Sequence, residues 1–284
     1  MEHFDLKSIP QEQLVAFYGL LFSAGIADSI LEKEELQTIY EFIDLDILAA
    51  KNKDTVRNFV LNPPEPEECL RTIAEGKDEL RFAVLVGVVE VVLADEIIVT
   101  QEHQFLDTVC LELNIAGNQL DAVIFFIEES KRIIHEEMDD ETAGNALLKV
   151  ALALKEAGIP ISAVYFSGTI ISLSAAGITN GLVALGLEPE LVMGVGVAPL
   201  IGAGIFDKLK AALGDSKKKK EKERKSKIVI RNLQEAITKI INKIEELEST
   251  AMDTDENDKA IIQLKERLLK LKKVVSKKTG KAHI

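Results

Sequence analysis

The sequence predicts an all-α protein, and three observations carry the prediction. Apolar residues recur at spacings of three and four along most of the chain, the period of a helix with one buried face. Apolar volume comes from Leu, Ile, Val and Ala, with no Trp and only 5% aromatic residues, a mixture that favours helices. Beyond residue 230, two stretches step by three and four through Ile and Leu as coiled-coil seams do.

The elements follow in order. Leu14, Phe17, Tyr18, Leu21 and Phe22 share one helical face, and the helix stops near Gly25. Leu36, Ile39, Tyr40 and Ile43 form a second stripe, and Val56, Phe59 and Val60 a shorter third. Pro63, Pro64 and Pro66 make residues 62–68 a connector, with Pro66 suited to the first turn of a fourth helix through Cys69, Leu70 and Ile73. The run RFAVLVGVVEVVL reads as a strand on propensity alone; its length and the internal Gly87 favour a fifth helix through Leu80, Val84, Val88, Val91 and Val92. Leu106, Val109, Cys110 and Leu113 mark a sixth. Leu120, Val123, Ile124 and Ile127 mark a seventh that runs out in the acidic residues 136–141.

Three segments result: an acidic helical bundle over 1–141, a Gly- and Ala-rich apolar helical segment over 142–213, and a basic linker with a helical hairpin over 214–284. Length suffices for one large domain or two modest ones. The net charge of −13 hides an asymmetry, because residues 1–150 carry −20 and residues 151–284 carry +7. An acidic first half repels nucleic acid and attracts cations or basic protein surfaces. Cys69 and Cys110, without a secretory pattern, favour a reducing compartment, so the cytoplasm is the expected location.

One turn occurs twice. At an offset of 67, Ala27 matches Ala94, Asp28 matches Asp95, Leu31 matches Ile98, Glu35 matches Glu102 and Ile39 matches Leu106. Asp favours such turns because its carboxylate can accept from the N–H two residues on. The apolar residue plugs the loop into the core, and the Glu faces the positive end of the next helix. The pattern A-D-x-x-(I/L)-x-x-x-E, twice in one helical domain, resembles the tellurite-resistance TerB family and the TerB-like domain of membrane-anchored DnaJ-type co-chaperones. The resemblance covers roughly residues 10–140. It implies a bundle with pseudo-twofold halves and non-enzymatic roles in bacterial stress response and protein assembly at the membrane.

The chain departs from the family pattern in three places. Ser29 and Glu96 stand where the family has Gly after the Asp, so both turns must avoid the left-handed region or accept strain. Glu32 and Val99 stand where a short polar residue caps the helix. No His-Pro-Asp triplet of a J-domain occurs.

Asp28, Glu35, Asp95 and Glu102 are the candidate site residues, and two readings stand: capping with solvated surface, or a divalent cation held with help from Glu32 and His103. The spacing does not fit the twelve-residue calcium loop. The four histidines show no metal-ligand spacing, and both cysteines fall on apolar helix faces. GVGVAPLIGAG lacks the third Gly of the dinucleotide fingerprint and the Lys-Ser or Lys-Thr of a P-loop. No catalytic residue and no bound cofactor is expected.

Ala157–Leu187 and Leu191–Phe206 contain no charged residue, over 31 and 16 positions. A bilayer span needs about 20 apolar residues, so a membrane hairpin and a buried soluble segment are both open. Lys217, Lys218, Lys219 and Lys220 open a basic run suited to anionic lipid. The seams Ile230, Leu233, Ile237, Ile240, Ile244, Leu247 and Ile261, Leu264, Leu268, Leu271, Val275 favour an antiparallel hairpin over an intermolecular coil, and being short they should pack on something else. The expected function is non-enzymatic binding and assembly in a bacterial stress or defence system at the cytoplasmic membrane face. The partners would be proteins met by the acidic bundle and anionic membrane met by residues 157–227. A pore-forming effector and a wholly soluble adaptor are the alternatives, and a homo-oligomer is open.

Overall fold

A computed structural model describes residues 9–164, 216–249 and 255–279, and their regular elements are all helical. The bundle begins with α1 (Gln11–Ala24), α2 (Lys33–Phe42), a 3-10 turn (Leu45–Ile47), α3 (Ala50–Asn58) and α4 (Pro66–Ala74). It continues with α5 (Asp78–Val92), a 3-10 turn (Leu93–Asp95), α6 (Thr100–Glu112), α7 (Gly117–His135), α8 (Asp140–Glu156) and the single turn α9 (Ile161–Val164). Two long helices, α10 (Ser216–Ser249) and α11 (Asp255–Thr279), follow.

Two helices form the centre. Every residue from Ala16 to Ala24 in α1 and from Ala83 to Val92 in α5 is buried. A helix that is apolar all round has to be enclosed on all sides. Here α1 packs on α2, α3, α4 and α5, while α5 packs on α1, α2, α4, α6, α7 and α9. Glycine lets the two central helices approach: a Cβ on Gly87 would stand 2.9 Å from the Phe17 ring. The run that reads as a strand on propensity is therefore helical, as its length and Gly87 favoured.

Three helix starts recur at one offset. Gln11, Lys33 and Ala50 begin α1, α2 and α3, and Asp78, Thr100 and Gly117, each 67 positions on, begin α5, α6 and α7. Pro66 opens α4 as its first residue, where its missing N–H has no role. The acidic run 136–141 is a junction between two helices, because Asp139 caps α8 by accepting from Glu141 N and Thr142 N. α8 packs on α7 and buries Ala143, Leu147, Val150 and Leu154.

α10 and α11 pack on one another and against the first half of the bundle. Their direction is fixed by what they touch. Along α10, Asn232 meets Ile43 and Arg231 meets Asp46, then Glu235 meets Arg57 and Lys239 meets Asn58. Along α11 the order reverses, with Arg267 at Val60 and then Lys278 at Glu41. The hairpin is antiparallel and lies on α2 and α3. Leu233, Ile240, Ile244, Leu264, Leu271 and Val275 of the expected seams are buried. Val229, Ala236 and Val274, outside the seams, are buried as well, because the hairpin buries an inner side in addition to its own interface.

The apolar stretch beginning at Ala157 starts as core: Ile159, Ala163 and Val164 are buried, and α9 lies on α5. The rest of both uncharged stretches lies outside the described residues. Among the described residues, no helix is long and apolar enough to cross a membrane.

Candidate functional site

The twin turns fold alike down to single hydrogen bonds. In the first, the Asp28 carboxylate accepts from Ile30 N at 2.8 Å; in the second, Asp95 accepts from Ile97 N at 3.1 Å. These are Asx turns, the geometry for which Asp is suited. Between them Ser29 has φ 73° and Glu96 has φ 69°, so both turns enter the left-handed region with a side chain where glycine would be free of strain.

Each turn then starts a helix whose third residue reaches back. Glu35 accepts from Glu32 N at 2.6 Å and Glu102 accepts from Val99 N at 2.8 Å. This is the returning half of a capping box, which satisfies one N–H that a helix start would leave unpaired. Neither Glu32 nor Val99 makes a side-chain cap, as their chemistry predicts. Leu31 is buried under the first turn, and Ile98 is partly buried against the core under the second.

The turns are neighbours in space. α2 packs on the 3-10 turn Leu93–Asp95, and the charges of Asp28, Asp95 and Glu102 all act on Glu35. Glu35 and Glu102 are 4% and 5% exposed. Burial, reinforced by the neighbouring carboxylates, pushes Glu35 up to about 9, against the lowering effect of its bond from Glu32 N. Burial also raises Glu102, with Asp95 and Asp28 adding to it. Glu35 is consequently neutral near pH 7.

Two lysines beside the turns were not expected from the sequence. Lys131 of α7 donates to the carbonyl of Leu93 and lies in the field of Glu90, Glu96 and Asp95; burial lowers its pKa. Lys270 of α11 pairs with Glu32 at 3.3 Å. No periodicity marks either residue, because each reaches the turns from a different helix.

Each of the four candidate carboxyl groups accepts a backbone N–H on one of its oxygens. Among the described residues, no three His, Cys, Asp or Glu side chains are grouped so as to hold a metal ion. Cys69 is buried and Cys110 half-buried, and burial raises both thiols, to about 12 and about 11. They are protonated and poor nucleophiles near neutrality. Lys217, Lys218, Lys219 and Lys220 lie in the first turns of α10, with their side chains outside the described residues.

No family model, no curated protein and no solved structure matches the chain.

Proposed function

We propose that this chain is a non-enzymatic binding and assembly protein of a bacterial stress or defence system, working at the cytoplasmic face of the membrane through a TerB-like bundle with an internal duplication. One observation carries the reading. The two A-D-x-x-(I/L)-x-x-x-E turns adopt the same bonds, the same left-handed residue and the same buried Glu, and they lie side by side. A pair of matched junctions, held at the cost of backbone strain and buried carboxyls, supports a surface for recognition. The acidic excess of the first 150 residues gives that surface its sign.

Membrane contact is the second part of the proposal, and rests on the uncharged stretches within 157–206 and on the lysines at 217–220. The test is flotation of the full chain with anionic liposomes, with a 158–206 deletion as comparison. Flotation that the deletion abolishes supports membrane work. Recovery without lipid, together with unfolding of the deletion variant, supports a soluble adaptor. That second reading is favoured by Ile159, Ala163 and Val164, which enter the bundle core. Dye leakage from vesicles would redirect the reading to the pore-forming effector.

A further inference from the structure

Ile30 and Ile97 are 52% and 63% exposed. They sit at equivalent places, two residues after Asp28 and Asp95, and each backbone N–H is fixed by that Asp. Single exposed isoleucines need no explanation. The same isoleucine displayed by both of two neighbouring turns is a different matter, because each is held beside a residue at positive φ that a relaxed chain would avoid. Val99, just past the second turn, is 36% exposed as well. Asp28, Glu32, Asp95 and Glu96 belong to the same two turns, with Glu32 paired to Lys270 and Glu96 3.6 Å from His135.

We propose that the two turns form a docking surface for a lysine- or arginine-rich amphipathic segment of a partner protein, with the apolar side of that segment against Ile30, Ile97 and Val99 and its cations on the surrounding carboxylates. Charge complementarity selects this partner, since the first 150 residues carry −20. The chain contains a precedent. Amphipathic α11 packs against α2, placing Lys270 on Glu32 at 3.3 Å and Lys278 on Glu41 at 2.7 Å, while its apolar residues Leu271, Val274 and Val275 are buried. The hairpin thus reaches the edge of the first turn and leaves Ile30 exposed.

The inference deepens the binding reading and rests on it. The test is methyl NMR of the full chain, with isoleucine and valine methyls observed, titrated with a synthetic Lys/Leu amphipathic helical peptide and, as control, its Glu/Leu counterpart. The expected result is saturable shifts at Ile30, Ile97 and Val99 with the Lys/Leu peptide alone. Affinity should weaken about tenfold in the double variant Ile30→Ser with Ile97→Ser, and again in Glu32→Gln with Glu96→Gln. These side chains are exposed or partly exposed, and unmoved methyls of buried Ile39 and Ile73 show that the fold is intact. Shifts centred elsewhere, equal binding of both peptides, no saturation, or an unchanged affinity in the isoleucine double variant would each overturn the surface. Liposome flotation reports the wider reading separately: flotation that persists while the peptide arm fails removes this surface and leaves that reading standing.

Discussion

Asn232 of α10 donates its side-chain amide to the carbonyl of Ile43 at 3.1 Å, across a sequence separation of 189 residues. The residue is 2% exposed, and among the described residues nothing donates to its own amide oxygen. It joins the hairpin to the bundle beside Tyr40, Val56, Ala236 and Arg57. A buried polar group of this kind sets register more than it adds stability.

Asn232→Asp keeps the shape and removes the donor. A carboxylate there would face the Ile43 carbonyl without a proton to give, so the fold should lose about 3 kcal/mol at neutral pH. Urea denaturation measures the loss, and amide exchange should show α10 opening first. Wild-type stability in this variant would mean that the Ile43 bond does not hold the hairpin.

Glu35→Gln tests the buried carboxyl. Its folded pKa of about 9 lies above the ordinary carboxylate value, so the folded state holds the proton more tightly than the unfolded one. That contribution is complete below the unfolded pKa and is lost as pH rises toward about 9. Gln still accepts from Glu32 N and never ionises. The wild type should therefore lose several kcal/mol more than the variant between about pH 5 and pH 9. Parallel pH curves would place the Glu35 pKa in the ordinary range.

Ser29→Gly and Glu96→Gly address the left-handed residues. A side chain in this region costs about 1 kcal/mol relative to glycine, and glycine gives part of that back through the freer unfolded chain. Each change should stabilise by about 0.5 kcal/mol, read as a rise in thermal midpoint. A fall would show that these turns carry no strain.

Gly87→Ala should destabilise, although alanine is the better helix former. The added methyl meets the Phe17 ring at 2.9 Å and Leu21 Cδ2 at 3.2 Å, and both partners are enclosed in α1. Overpacking of this kind costs about 1–3 kcal/mol, against about 1 kcal/mol of propensity gained. Chemical denaturation decides which term wins.

Calorimetric titration with calcium, magnesium and zinc addresses the four carboxylates. With Asp28, Glu35, Asp95 and Glu102 each accepting from a backbone N–H, no saturable heat is expected below about millimolar cation. A saturable isotherm lost in Asp28→Asn with Asp95→Asn would establish a site. Asn preserves the acceptor of each turn, so the variant removes charge alone.

The sequence by itself determined the helical class, the helix faces and the chemistry of the twin turns. These properties are local: periodicity reports a buried face, and an Asp two residues before its N–H partner needs no distant help. Only the tertiary structure decided what meets what. It set the two turns beside each other, buried Glu35 and Glu102, brought Lys131 and Lys270 to the turns and laid the hairpin on α2 and α3. The same limit explains the valine-rich fifth helix. A continuous apolar run records that all sides are covered and erases the periodicity that separates helix from strand. Burial and long-range charge depend on three-dimensional neighbours, and a one-dimensional spacing rule carries no distance between elements.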